Sequence, residues 1–218
     1  MDPHDDPEFT RHLLKRLCDF FYEQHYRMFE MCKGLIDVAQ VTDDYGSQTG
    51  PMISLVAFRE FYKPHLQRFI DLCHGFGIKV FHHDDGGIRP FIPDLVEMGI
   101  DILNPVQSVC PGMERAGLKR DFGRALCFHG SIENQRPFDF AQGAVSLVEP
   151  RILPYGTPED VRADVRDAID TLASDGTGYR RRGSLARALL APCHNLQAVT
   201  PIGNIIVMYD EAFRYGVF

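Results

Sequence analysis

The sequence predicts an α/β fold built on parallel strands, and three observations carry that reading. Apolar residues make up 44% and charged residues 24% of the 218, the balance of a globular chain rather than a disordered one. Helix-like and strand-like segments alternate, which implies parallel strands joined by right-handed crossovers. Five successive strand-like segments end in residues with chemistry to offer.

The elements follow in order. Asp6-Pro7-Glu8 is a helix start: a capping carboxylate, proline at the first helical position and an acid at the positive end of the dipole. Leu13, Leu14, Leu17, Phe20, Phe21 and Met28 recur at helical spacing, and Gly34 stops the helix. Residues 35–41 read as a strand that breaks off at Thr42-Asp43-Asp44-Tyr45-Gly46. Ser54 caps a helix carrying Phe58, Phe61, Leu66, Phe69 and Ile70, bent near Pro64 and closed at Gly75 or Gly77.

Lys79-Val80-Phe81 is a short strand running into His82-His83-Asp84-Asp85-Gly86-Gly87. A helix through Leu95 and Val96 stops at Gly99, and residues 100–103 form a strand ending in Asn104-Pro105-Val106-Gln107. A short helix near residues 113–122 precedes a strand at 125–128, which ends in His129-Gly130-Ser131-Ile132-Glu133-Asn134-Gln135. Thr157 caps the next helix, with Asp160 placed for a capping box, Val161, Val165, Ala168, Ile169 and Leu172 on one face, and Gly176 closing it. The last strand runs into Ala191-Pro192-Cys193-His194-Asn195, and Thr200-Pro201 opens a final helix through Ile205, Ile206, Tyr209 and Phe213. Residues 139–155 and the start of a run containing Arg180-Arg181-Arg182 break the rhythm and read as insertions.

Charge and composition narrow the function. Thirty acidic against twenty-three basic residues give a net charge of −7, which argues against a bulk electrostatic binder of nucleic acid. No apolar run is long enough to span a bilayer. The N-terminus is acidic where a secretory leader is basic and then apolar. The six cysteines show no C-x-x-C and no framework spacing, so the expectation is reduced thiols in the cytoplasm. Phosphate-cradling loops, H-E-x-x-H and the G-x-S-x-G nucleophile elbow are absent from the sequence.

In a parallel α/β sheet the C-terminal strand ends share one edge, and in a (β/α)8 barrel they share one mouth. The residues so gathered are Asp43 and Asp44, His82 to Asp85, Asn104 and Gln107, His129 with Glu133, Asn134 and Gln135, and Cys193, His194 and Asn195. A plainer reading holds for any one cluster, because strands end in polar turn residues anyway. The expectation here is a functional rim.

The ordered motifs Asp43-Asp44-Tyr45-Gly46-Ser47-Gln48-Thr49-Gly50-Pro51, His82-His83-Asp84-Asp85-Gly86-Gly87, Asn104-Pro105-Val106-Gln107, His129-Gly130-Ser131-Ile132-Glu133-Asn134-Gln135 and Pro192-Cys193-His194-Asn195 resemble the uroporphyrinogen decarboxylase superfamily. The nearest likeness is to its decarboxylase-like corrinoid methyltransferase branch. The resemblance covers most of residues 7–218 and implies a TIM (β/α)8 barrel, of which this chain is the C-terminal part: about five βα units, with the N-terminal units missing. It also implies a single domain over residues 1–218, interrupted by insertions at 139–155 and 180–189. The family is enzymatic, and the incomplete barrel leaves open whether this chain is an enzyme, an inactive scaffold fragment, or half of a homodimer.

In the methyltransferase branch, a strand end reading His-x-Cys-Gly and a later Cys or His bind zinc. Here the matching positions read His83-Asp84-Asp85-Gly86, so the histidine is kept and an aspartate stands for the cysteine. The resemblance therefore implies a metal cluster of His83 and Asp85 with Cys193 or His194, holding zinc or another divalent ion. The oxygen donor moves the preference toward harder metals. His82 and Asp84 are expected as partners that orient the ligands. A metal-free acid/base cluster of the same residues fits the pattern too. His83, Asp85, His194 and Asp44 are the expected catalytic groups, although the decarboxylases carry serine at the Asp44 position. Asp43, His129, Glu133, Gln135 and Asn195 are candidates to contact a bound cofactor or substrate; Asn104 and Gln107 read as structural loop residues. The implied chemistry is metal-assisted methyl transfer to a corrinoid or thiol, with a corrinoid protein as partner. The alternative is tetrapyrrole decarboxylation, which needs no metal.

Overall fold

The computed structural model describes residues 3–134, 152–173 and 188–216. Gln135, Gly176, the Arg180–Arg182 run, and residues 139–151 and 180–187 of the two expected insertions lie outside them.

Helix α1 (Pro7–Met31) starts as expected, with Asp6 accepting from the Phe9 amide at 3.0 Å. It ends at Met31, ahead of Gly34. Its apolar stripe is not covered: Leu13, Leu17, Phe20, Phe21 and Met28 are exposed, and Phe29 is its buried residue. The helix instead meets its neighbour through the other rings, with Tyr22 and His25 edge-on to Phe69.

Strand β1 (Val38–Thr42) begins three residues later than the apolar run, leaving Leu35 exposed. A hairpin of β2 (Gly46–Ser47) and β3 (Gly50–Pro51) follows. Ser54 caps α2 (Leu55–Ala57), which continues as a π-type turn at Phe58–Tyr62 into α3 (Lys63–Gly75). The single bent helix expected here is thus widened just before Pro64, whose missing N–H interrupts the α-ladder.

Strand β4 (Lys79–His83) leads to α4 (Ile92–Met98), which is closed by Gly99 in the left-handed conformation, φ 94°. Next come β5 (Ile102–Val106), α5 (Arg115–Phe122) and β6 (Cys127–Ile132). Helix α6 (Ile152–Tyr155) precedes α7 (Pro158–Leu172), whose Thr157–Asp160 capping box is complete. Strand β7 (Ala188–Pro192) and α8 (Ile202–Tyr215) end the described chain. Residues 152–155 and 188–189, which fall within the two expected insertions, are therefore helix and strand.

The five longer strands form one parallel sheet in the order β1-β4-β5-β6-β7. Parallel strands fed by helices are covered by apolar packing. Phe58, Ile70, Leu95, Leu103 and Phe128 lie in one core cluster, while Ile132, Leu153, Val161, Val165 and Met208 form a second. The register sets Thr42 beside His83, His83 beside Asn104, and Ile132 beside Pro192. That alignment places the polar strand ends on one edge of the sheet.

Candidate functional site

His83 is the last residue of β4, and its ring is held from two sides. Nδ1 lies 2.7 Å from Oδ1 of Asn104, and Nε2 lies 3.7 Å from Oδ1 of Asp44. Thr42 donates to the His83 carbonyl at 3.0 Å, which ties the ends of β1 and β4 together. Asp85, two residues beyond His83, accepts from Gln107 Nε2 at 3.2 Å, and its own amide donates to Asp44 Oδ1 at 3.0 Å. One donor atom each from Asp44, His83 and Asp85 lies within 4.8 Å of the other two. Two carboxylates and one imidazole at that spacing can hold one divalent cation.

Burial pushes the Asp85 carboxyl above its ordinary pKa. His83 and His194 favour its charged form, and the Asp44 carboxylate opposes it. A cation among the three would relieve both the burial and the repulsion. His194 is thus among the groups that act on the Asp85 carboxyl. His194 is half-buried, and its Nδ1 is buried without a hydrogen-bond partner among the described residues.

The loop bearing Asp44 is built from below. Asp84 is fully buried; its Oδ1 accepts from the amides of Tyr45 at 2.8 Å and Gly46 at 3.2 Å, and its Oδ2 faces His82 Nε2 at 3.7 Å. Burial raises the Asp84 pKa against those interactions. His82 and Asp84 thus hold the loop rather than the three donors. The partners that orient the donors are Asn104, for His83, and Gln107, for Asp85. Gln107 is buried and also accepts from the Gly86 amide at 2.8 Å and from Gln48 at 3.0 Å.

Both residues read from the sequence as loop fixtures. Asn104 sits inside β5 instead, and its amide spans two histidines, with Nδ2 lying 2.7 Å from His129 Nδ1. No sequence signal marks this: the apolar run stops at Leu103, yet β5 runs through Asn104 and Pro105 to Val106, which sets Asn104 beside His83 in the register. His129, inside β6, is half-buried with Phe81 edge-on to its ring, and burial lowers its pKa.

The other expected residues fall elsewhere. Asp43 turns away from Asp44, taking a 3.4 Å bond from the Tyr45 hydroxyl, and lines a cavity of about 350 Å³ beside Leu17, Phe21, His65 and Phe69. Cys193 is buried against Glu133 and Asn134, its thiol 3.5 Å from Glu133 Oε1 and 3.2 Å from Asn134 Oδ1. It is not among the three clustered donors, where Asp44 takes the expected third place. Asn195 is exposed, and its carbonyl accepts from Asn134 at 3.2 Å. All six cysteines are free thiols, and no described helix is long and apolar enough to cross a membrane.

Comparison with known proteins agrees with this architecture. A methyltransferase from Methanosarcina mazei superposes with a TM-score of 0.54 at 19% sequence identity, over 83% of this chain and 43% of that one. At that identity the likeness is one of fold, and the chain spans less than half the length of that relative. No curated protein sequence matches it. The family model for uroporphyrinogen decarboxylase (URO-D) matches residues 2–215, a span that contains every strand-end motif. By that match the chain belongs to the uroporphyrinogen decarboxylase family.

Proposed function

We propose that the chain carries a metal-assisted methyl-transfer site, with Asp44, His83 and Asp85 as the donors to a divalent cation. One observation carries this reading: three donor atoms from the ends of β1 and β4 lie within 4.8 Å of one another, and partners on β5 or just beyond it hold two of their side chains. The set is richer in oxygen than a zinc–thiolate site, so it suits zinc and harder divalent ions. When bound, such a cation would supply Lewis-acid activation, lowering the pKa of a thiol acceptor or polarising the methyl donor for attack by a corrinoid.

The chain's own groups do the rest. Asn104 and Gln107 fix the donors, while His129 and His194 border the same rim and can exchange protons or hydrogen bonds with a small-molecule substrate. A corrinoid protein as methyl carrier, a single domain interrupted at 139–155 and 180–189, and a cytoplasmic setting belong to the same reading. The relative's printed activity, methyl transfer, supports it.

Calorimetric titration of the full chain with Zn²⁺, Mn²⁺ and Co²⁺ tests the proposal. The expected result is one saturable site, weakened in His83→Ala by more than the roughly 10–100-fold that an outer partner costs. A methyl-transfer assay with thiol and corrinoid acceptors should then lose its signal in chelator. Absence of saturable binding, with any activity indifferent to chelator, overturns the metal reading in favour of metal-free decarboxylation.

A further inference from the structure

Asn104 is 9% exposed and lies mid-sheet, on the strand between those that carry His83 and His129. Its backbone is fixed by the ladder, and its carbonyl accepts from the Asp84 amide at 2.8 Å. Both ends of its side-chain amide are engaged, each at 2.7 Å from an imidazole Nδ1. An amide offers an acceptor at one end and donors at the other. A neutral imidazole carries its proton on one nitrogen only. Two imidazoles bridged through their Nδ1 atoms by one amide must therefore hold opposite tautomers.

We propose that Asn104 is a positioning residue that locks His83 and His129 into complementary tautomers, His83 as Nδ1–H with an Nε2 lone pair toward the two carboxylates, and His129 as Nε2–H, a donor for an oxygen acceptor on the substrate. The orientation of the amide gives the sense: the oxygen faces His83 and the nitrogen faces His129. His83 Nε2 lies 3.7 Å from Asp44 Oδ1, and a lone pair facing a carboxylate there is unfavourable unless a positive charge, a metal ion or a proton, lies between them. His129 Nε2 has no partner among the described residues, so its proton is available to a ligand. The cation half of this inference rests on the proposed function; the tautomer half rests on the bridge alone.

The test is a long-range ¹H–¹⁵N correlation spectrum of the full chain with ring-labelled histidine. It is recorded at rising pH until the ring ¹⁵N shifts no longer change, so that the neutral tautomers are read. Wild type should show the Nδ1–H pattern for His83 and the Nε2–H pattern for His129. Asn104→Asp accepts at both ends, so it should keep the His83 pattern, convert His129 to Nδ1–H and retain Zn²⁺ binding. Asn104→Leu should release both rings toward the mixture seen in free histidine and weaken Zn²⁺ binding about 10–100-fold. Should Asn104→Leu fail to fold, the His129 conversion in Asn104→Asp decides alone.

The same tautomer on both rings in wild type, or an unchanged His129 pattern in Asn104→Asp, overturns the lock. Opposite tautomers without binding of Zn²⁺, Mn²⁺ or Co²⁺ uphold the lock and overturn the metal reading. Zn²⁺ binding without the opposite tautomers does the reverse.

Discussion

The backbone amide of Asp85 donates to the carboxylate of Asp44 at 3.0 Å, so the two loops that bring acid to the candidate site are joined at the acids themselves. Asp44 is therefore both a donor to the proposed cation and a clasp. Asp44→Asn keeps an acceptor for that amide while losing the charge; Asp44→Ala loses both. Zn²⁺ binding should fall in both variants by titration. Urea denaturation should show Asp44→Ala less stable than Asp44→Asn by about 0.5–1.5 kcal/mol, the net worth of one hydrogen bond. Equal stability of the two would mean that the clasp contributes nothing.

By the resemblance read from the sequence, Asp85 stands where the methyltransferase branch carries a cysteine. Asp85→Cys restores a soft donor beside His83 and should shift the preference for Zn²⁺ over Mn²⁺ upward, on the order of tenfold or more. Competition titration reads the ratio directly. A ratio unchanged by the substitution would remove Asp85 from the coordinating set.

Gly86 carries φ +86°, and a side chain there would run into the backbone of Ser47, with its Cβ 2.6 Å from the Ser47 nitrogen. The β2–β3 hairpin packs directly on this glycine, and the Gly87 amide donates to the Ser47 carbonyl at 2.8 Å. Gly86→Ala combines a disfavoured backbone region with overpacking and should destabilise the fold by about 2–3 kcal/mol. Thermal and urea melts check the magnitude. Hydrogen exchange should show the added opening concentrated in residues 43–51 rather than spread through the sheet.

Asp94 on α4 is buried and takes bonds from Arg59 at 2.9 Å and Lys63 at 2.7 Å. Burial alone would raise its pKa; the bonds from Arg59 and Lys63 outweigh that and hold the carboxyl below its ordinary range. A carboxyl depressed in the folded state stabilises the protein above its unfolded-state pKa, and that contribution is lost as pH falls through the folded value. Stability should thus decline on acidification below about pH 4, and Asp94→Asn should lose that part of the decline. At neutral pH the variant should be less stable by about 1–3 kcal/mol, toward the lower end because Arg59 is half exposed. Chemical denaturation across the acid range separates the two curves.

The local grammar of the fold was readable because it is written in caps and breakers. Asp6, Ser54 and Thr157 cap their helices through their own oxygens, and Gly99 closes α4. The rim was readable because strand ends in a parallel sheet lie on a common edge. Asn104 was not, since the apolar run stops at Leu103 while the strand continues to Val106. Asn and Pro are poor strand formers by composition, and pairing across the sheet overrode that preference. Cys193 and His194 adjoin in sequence, yet the thiol goes to Glu133 and Asn134 while His194 acts on Asp85. Chain order cannot assign a side to each, because successive residues at a strand end face opposite ways. Nor does helical periodicity say whether a stripe such as that of α1 is covered.

The sheet has β1 at one margin and β7 at the other, each with one flank unmatched among the described residues. Water satisfies such a flank only until a polypeptide of suitable direction lies alongside it. Leu35 and Val38, before and at the start of β1, are exposed, and so are Ile202, Ile206 and Phe213 on α8. Dilution therefore becomes a variable in its own right: wherever these margins find company, melting temperature will climb with protein concentration.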